Sequence, residues 1–514
     1  MRRAGRASGI LLPIASLPSP YGIGAFSKEA YDFVDFVSAA GQRYWQILPL
    51  CPTGFGDSPY QSFSTYAGNP FFIDLDTLIA DGLLTKRDVA GTVSHARPSR
   101  VDYEQVARTH LPLLRRAYER GILHGGMSAG KAKEFKAFCK KEADWLDDYA
   151  LYMAVKAHFQ NASWDTWEDD IRLRKPAAVK RYTRLLKEEI DYHKFVQYEF
   201  FTQWRALKAY AHEKGVRIIG DLPIYVAYDS ADTWSHPELF QLEWSGQPDA
   251  VAGCPPDPFA ATGQLWGNPL YRWEYHKETD YAWWVSRLRH TLGLYDVVRI
   301  DHFRGFESYY SIPYGDPTAE FGHWEKGPGN ALFEVLKREI PEIVEGELRL
   351  IAEDLGFLTP GVRRLLKRTG FPGMKVLQFA FDAREDSDYL PYNYDANSIV
   401  YTGTHDNNTT RGWFEEISKK DRAFAYRFLQ IPKGTKPSDK GNVDAMIRLA
   451  LASVSNTAII PLQDYLTVGV EGRINKPSTV STRNWSWRVK GSAITPALAR
   501  RIRALCTLYG RSTL

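Results

Sequence analysis

The chain has 514 residues, with 65 lysines and arginines against 61 aspartates and glutamates, so its formal net charge is +4. Hydrophobic residues make up 44% and charged residues 25%, which excludes a disordered chain, a collagen-like fibre and a polybasic nucleic-acid tail. Aromatic residues reach 14%, and rings in that number serve either a large core or a site that stacks on flat ligands.

The four cysteines, Cys51, Cys139, Cys254 and Cys506, lie far apart with no C-x-x-C pair. That spacing argues against a zinc finger or a disulfide scaffold and fits reduced thiols in a cytoplasm. No stretch approaches the ~18 consecutive apolar residues of a membrane span.

Arg2, Arg3 and Arg6 precede an apolar run at 9–17 (GILLPIASL). Pro13 interrupts that run and no small-residue cleavage site follows, so it reads as a buried strand rather than a secretory signal. Seven further runs share its format: 43–50 (RYWQILPL), 216–226 (VRIIGDLPIYV), 295–301 (YDVVRID), 348–354 (LRLIAED), 374–381 (MKVLQFAF), 398–406 (SIVYTGTHD) and 456–464 (NTAIIPLQD). Near-continuous apolar runs of this length fit parallel strands buried on both faces. Helical patterns lie between several of them: 27–40, stopped by Gly41; a long amphipathic stretch at 178–214, ended by Gly215; and 359–369, opened by a Thr-Pro pair suited to a cap and first helical position. Eight strands with intervening helices predict an α/β fold, a (β/α)8 barrel forming one catalytic domain over 1–514, with an open doubly wound sheet as the alternative. The gap between the second and third strands is too long for a single crossover. Residues 83–170 read as an inserted helical subdomain on the C-terminal face of the barrel. A second insertion, 229–273, is rich in Gly, Pro and Trp and reads as a long irregular active-site loop. No separate C-terminal β domain is expected.

In such a barrel the chemistry sits at the C-terminal strand ends. Asp301, Glu353 and Asp406 stand at the ends of three runs, and Asp221 interrupts a fourth. Charge in or after an apolar strand is costly without partners; each acid alone reads equally as a salt-bridged structural group, but four on one rim suggest a site. Arg299 and Asp301 are two residues apart and share a face of their strand, so the guanidinium is expected to lower the Asp301 pKa and keep it ionised. Glu353, beside Ile351 and Ala352 and near other acids, is expected to hold its proton. One ionised and one protonated carboxyl is the pairing used to cleave glycosidic bonds with retention, at a separation of about 5–5.5 Å.

The segments 299–306 (RIDHFRGF), 351–356 (IAEDLG), 404–407 (THDN) and 220–226 (GDLPIYV) resemble the four catalytic regions of the α-amylase superclan. The flanking segments 56–70 (GDSPYQSFSTYAGNP), 255–273 (PPDPFAATGQLWGNPLYRW), and QDYL at 463–466 with NWSWR at 484–488 are similar to the amylomaltases, the 4-α-glucanotransferases or disproportionating enzymes. The match runs in order from about Gly9 to Arg488. The resemblance implies Asp301 as the nucleophile that forms a covalent glucosyl enzyme. It implies Glu353 as acid/base and Asp406 as the acid that grips sugar hydroxyls. Arg299, Asp221, His405 and Tyr60 match residues around the transferred sugar, and His302, Asp257, Gln264, Trp266, Ser58 and Asn475 match contacts in nearby subsites. Gly472, Ser478 and Arg483 stand where the family would have Ala, Gly and Gly.

The bland readings stay open: His302 and His405 as hydrogen-bonding groups of the rim, Trp266 as core. Without an H-x-H or H-E-x-x-H spacing, a metal is not expected, and the resemblance implies no cofactor. The expected partners are maltooligosaccharides and α-1,4-glucans, handled by a cytoplasmic monomer or homodimer with no nucleic acid and no membrane. Two alternatives to transfer are an α-glucan hydrolase and a non-catalytic glucan-binding protein. Retention of all three acids argues against the second.

Overall fold

Side chains alternate along a strand, and eight short strands use that alternation to fill the centre of the molecule. The computed structural model describes residues 5–93, 99–256, 261–344, 348–356, 358–384 and 387–513. The barrel strands are β1 (Ala7–Leu11), β2 (Tyr44–Gln46), β3 (Arg217–Leu222), β4 (Val297–Ile300), β5 (Leu350–Ala352), β6 (Gly373–Val376), β7 (Ser398–Tyr401) and β8 (Thr457–Pro461). Each pairs in parallel with its sequence neighbours, and β8 pairs with β1, closing the sheet. All eight strands contribute to one interior cluster: Ala7, Leu11, Tyr44, Ile219, Val297, Ile351, Met374, Val376, Ile399, Tyr401 and Ile459. This is the packed interior of a (β/α)8 barrel.

Every barrel strand lies within or overlaps a predicted run. The first run is displaced: the strand is Ala7–Leu11, and beyond Pro13 the chain turns through a 3₁₀ helix at Ile14–Ser16, because proline removes a ladder donor. The first helix is Lys28–Ala39. It ends in paired bonds from Gly41 N–H to the Ser38 carbonyl (2.9 Å) and from Gln42 N–H to the Val37 carbonyl (3.1 Å), with Gly41 at φ +68°, a left-handed stop that suits glycine. The predicted helix at 178–214 is two helices, Pro176–Leu185 and Lys187–Glu213. Pro360–Thr369 follows its capping Thr359 as expected. Between β6 and β7 the described residues form only 3₁₀ turns.

Between β2 and β3 the helices Tyr103–Tyr118, Ala129–Lys141 and Ala143–His158 pack on Lys187–Glu213. Rings at Tyr118, Phe135, Phe138, Trp145, Phe195, Tyr198 and Phe201 interlock there. Much of the aromatic excess therefore goes into core, as with the fully buried Trp45, Trp204, Trp234 and Trp284. Lys156 Nζ (2.5 Å) and Tyr152 Oη (2.6 Å) both reach Asp229 and tie this helical layer to the segment after β3.

The segment 229–273 differs from the irregular loop expected. Its strands Ala250–Cys254 and Gln264–Pro269 join Ser308–Pro313 and His323–Lys326 in a four-stranded antiparallel sheet. The partner strands arrive only after β4, and Gly253, Gly267 and Pro269 break the alternation that would mark strands in isolation.

Candidate active site

Two residues beyond Ile219, Val297 and Ile351 of the interior cluster stand Asp221, Arg299 and Glu353. The alternation that buries the apolar residues carries these three onto the C-terminal mouth of the barrel. Asp221 and Arg299 are register partners on β3 and β4. Arg299 Nη1 donates to both oxygens of Asp221 at 2.8 Å and lies 3.0 Å from Asp301 Oδ1, while its Nη2 is 3.9 Å from Glu353 Oε2. One buried guanidinium thus joins three carboxylates.

The connection continues across the mouth. The Tyr60 hydroxyl donates to Asp221 Oδ2 at 2.8 Å and stands 3.0 Å from His405 Nε2. With that proton given to Asp221, the Tyr60 oxygen is free to accept from His405. The two rings stack at 5.4 Å. His405 Nε2 is 3.4 Å from Asp406 Oδ1, and Asn475 Nδ2 donates to the same oxygen at 2.7 Å. Asp301, Asp221, Glu353 and Asp406, from four separate strand ends, therefore lie in one polar chain.

Glu353 is fixed by main-chain donors: His302 N–H reaches Oε2 at 2.7 Å and Leu355 N–H reaches Oε1 at 2.9 Å. His302 makes its bond from a left-handed backbone, φ +46°, strain of the kind that clusters at functional sites. Its ring meets Trp266 edge-on at 4.9 Å, its Nε2 is buried without a partner among the described residues, and burial lowers its pKa to about 3. Burial likewise lowers His405, so both imidazoles are neutral donors or acceptors at working pH. Trp266 Nε1 donates to Gln264 Oε1 at 3.1 Å. Ser58 Oγ accepts from Tyr60 N–H at 3.2 Å and so positions Tyr60 rather than touching the acids. Asp257 lies outside the described residues.

The charge balance departs from the sequence expectation. Burial pushes Asp301 up to about 8, against the opposing pull of Arg299. Arg299 acts in the expected direction, but Asp221 and Glu353 share it, and one cation cannot neutralise every acid facing it. Glu353 is also raised by burial, against Arg299 and its two backbone donors. Asp301 and Glu353 hang on the same guanidinium and titrate as a pair holding a shared proton.

Sequence reasoning missed two residues of the rim. Arg473 Nη2 donates to the Asp406 carbonyl at 2.9 Å, and the Trp485 ring packs 5.7 Å from Tyr60 and 6.0 Å from His405. Trp485 lies in the NWSWR segment and has φ +60°; its ring in an irregular polar segment was the available signal. The departures from the family pattern are absorbed locally. A methyl on Gly472 would lie 2.7 Å from Val468 Cγ1, which fills that space. Ser478 adopts φ +59°, the conformation that would favour the family's glycine.

A closed parallel barrel with acids gathered at its C-terminal mouth defines a (β/α)8-barrel enzyme. The model of the 4-alpha-glucanotransferase family matches residues 12–495. The Clostridium butyricum 4-alpha-glucanotransferase is 48% identical over 500 residues, covering 97% of this chain and 99% of that protein. The Thermus thermophilus enzyme of the same description is 46% identical over 502 residues, covering 97% and 98%. The amylomaltase of Streptococcus agalactiae, solved in complex with acarbose, superposes with a TM-score of 0.92 at 41% identity, covering 99% of this chain and 100% of that one. The chain belongs to the 4-alpha-glucanotransferase family. Among the described residues, no helix is long and apolar enough to cross a membrane.

Proposed function

We propose that the protein transfers α-1,4-glucan segments between maltooligosaccharides by double displacement with retention. Asp301 Oδ attacks the anomeric carbon of the donor, the glycosidic C–O bond breaks, and Glu353 delivers its proton to the departing oxygen. A hydroxyl of a second glucan then attacks the glucosyl–Asp301 ester, gives its proton back to Glu353, and releases the carboxylate. Asp406, held by Asn475 and His405, grips hydroxyls of the distorted ring, while Arg299, Asp221 and Tyr60 hold the surrounding charge in place. The observation that carries this reading is the single guanidinium of Arg299, within 3.9 Å of the Asp301 and Glu353 carboxyls, which sets a nucleophile and a proton carrier around one pyranose. Acarbose in the Streptococcus agalactiae relative supports an oligosaccharide in this cleft. Four cysteines spread along the chain with no C-x-x-C pair support a cytoplasmic setting.

Transfer requires an oriented sugar hydroxyl to outcompete water, and orientation supplies effective molarities of ~10⁵ M or more. The segment 249–273, with Gln264 and Trp266, and the loop around Tyr60 would cover the acceptor side and hold a glucan there. Maltotriose should give a ladder of longer maltodextrins plus glucose, read by chromatography, with little net gain in reducing ends. Reducing ends that rise in step with bond cleavage would identify a hydrolase.

A further inference from the structure

Away from the catalytic mouth, a pocket of about 370 Å³ opens between the helical layer and the hairpin that precedes strand Ala250–Cys254. That size is within the range of small-molecule sites. Three tryptophans line it. Trp164 and Trp234 are buried, with their ring N–H groups donating to the Tyr228 (2.8 Å) and Ile171 (3.1 Å) carbonyls. Trp244, at the hairpin tip, is 85% exposed. An indole held at that exposure has a free face to offer a ligand.

The polar lining is pre-set. The Arg174 guanidinium lies over the Trp234 ring at 4.4 Å and pairs with Asp148 at 2.5 Å, while its Nη1 is buried with no partner among the described residues. Arg172 is held by Asp169 at 2.9 Å and by the Ser245 carbonyl of the hairpin. Arg272 is held by the Leu242 carbonyl at 3.0 Å. These three cations face the carboxylates of Glu238 and Glu243 in the lining and of Asp148 and Asp169 behind it. Three cations against four carboxylates leave no net positive charge to draw an anion, and the mixed lining suits a neutral ligand that both donates and accepts hydrogen bonds. Rings for apolar faces beside fixed polar groups for hydroxyls fit a sugar.

The pocket also has a physical link to the catalytic rim. The hairpin runs directly into Ala250–Cys254, whose far end pairs Cys254 with Gln264, two residues from Trp266. The strand spans roughly 17 Å at about 3.3 Å per residue, so the pocket and the rim occupy opposite ends of one rigid element.

We infer that the pocket of Trp164, Trp234 and Trp244 binds a segment of α-glucan chain outside the catalytic cleft and retains long donors that also occupy that cleft. The inference rests on the glucan-transfer reading for its choice of sugar. It is tested on the full chain by native electrophoresis through gels containing amylose, beside maltotriose turnover. Trp244→Ala should weaken amylose retardation by about threefold to tenfold, the range of one lost ring stack, and raise the KM for amylose to match. Maltotriose turnover should stay within about twofold, and Trp244→Phe should restore most of the retardation. Unchanged retardation in Trp244→Ala overturns the inference. So does an equal loss of maltotriose turnover, or a change of oligomeric state in sedimentation that accounts for the whole effect. If the parent protein fails to transfer from maltotriose, the transfer reading falls, while the amylose comparison between parent and variant still decides the pocket.

Discussion

Burial raises the carboxyls at the mouth, and Arg299, serving three carboxylates at once, offsets that only in part. Asp301, raised to about 8 in the fold, would titrate near 3.9 in the unfolded chain. The folded protein therefore binds this proton more tightly. Below about pH 4 both states are protonated and Asp301 exacts no penalty. As pH rises towards 8 the unfolded chain releases its protons while the folded pair of Asp301 and Glu353 retains one between them, and stability falls. Asp301→Asn cannot ionise, and Arg299 keeps Asp221 as its partner. The variant should melt at nearly the parent temperature near pH 4 and at a progressively higher one up to pH 8, measured by thermal unfolding. A difference that does not grow with pH contradicts the charge assignment. The two buried histidines, held below their usual range, cost stability as pH falls and the unfolded chain takes up their protons, but they do so in parent and variant alike and cancel in the difference.

Strand alternation made the element scale legible in the sequence. Continuous apolar runs reveal strands buried on both faces, and the acids that interrupt or end them, Asp221, Asp301 and Glu353, stand out in the sequence, whereas the two-residue offset from Ile219, Val297 and Ile351 that carries Asp221, Arg299 and Glu353 to the mouth is a property of the folded barrel. The antiparallel sheet was hidden because its strands are short, two of them are interrupted by Gly or Pro, and its two hairpins join only through the pairing of Ala250–Cys254 with Ser308–Pro313 across β4 (Val251 with Ile312). The proton balance was hidden for another reason: the Arg299–Asp301 spacing is written in one strand, but the competition from Asp221 and Glu353 exists only once β3, β4 and β5 lie side by side. Gly220 shows how tightly these elements fit. A methyl there would lie 2.1 Å from the Tyr295 ring, whose hydroxyl accepts from Leu50 N–H at 3.1 Å. Gly220→Ala should cost about 1–3 kcal/mol of unfolding free energy by overpacking. It should also reduce turnover by displacing Asp221, its neighbour in sequence. Denaturant titration beside a maltotriose assay checks both effects, and a variant of parental stability and turnover would show that the strand yields more easily than this packing implies.

At the scale of the whole molecule, the barrel must join its first strand to its last. Arg511 helps to do so. Its buried guanidinium donates to the carbonyls of Ala7 on β1 (3.0 Å), Leu451 (2.7 Å), Ser453 (3.0 Å), Ser455 (2.8 Å) and Asn456 (3.1 Å) at the approach to β8. Arg511→Ala strands several buried carbonyls, each costing about 1–3 kcal/mol when left unsatisfied. The variant should lose about 3–5 kcal/mol in denaturant unfolding while its folded fraction keeps parental turnover, since Arg511 lies at the N-terminal end of the barrel strands and the acids at the other. A fall in turnover with unchanged stability would contradict that separation. The barrel's purpose in this account is to bring acids from distant strands to one sugar, and the sharpest claim is that Asp301 becomes bonded to it. The direct measurement is mass spectrometry of Glu353→Gln mixed with α-maltosyl fluoride, a donor that needs no acid to depart. A maltosyl adduct should appear on the peptide containing Asp301 and none in the Asp301→Asn variant; an adduct on another residue, or an Asp301→Asn enzyme that turns over at the parental rate, would rule out Asp301 as the nucleophile.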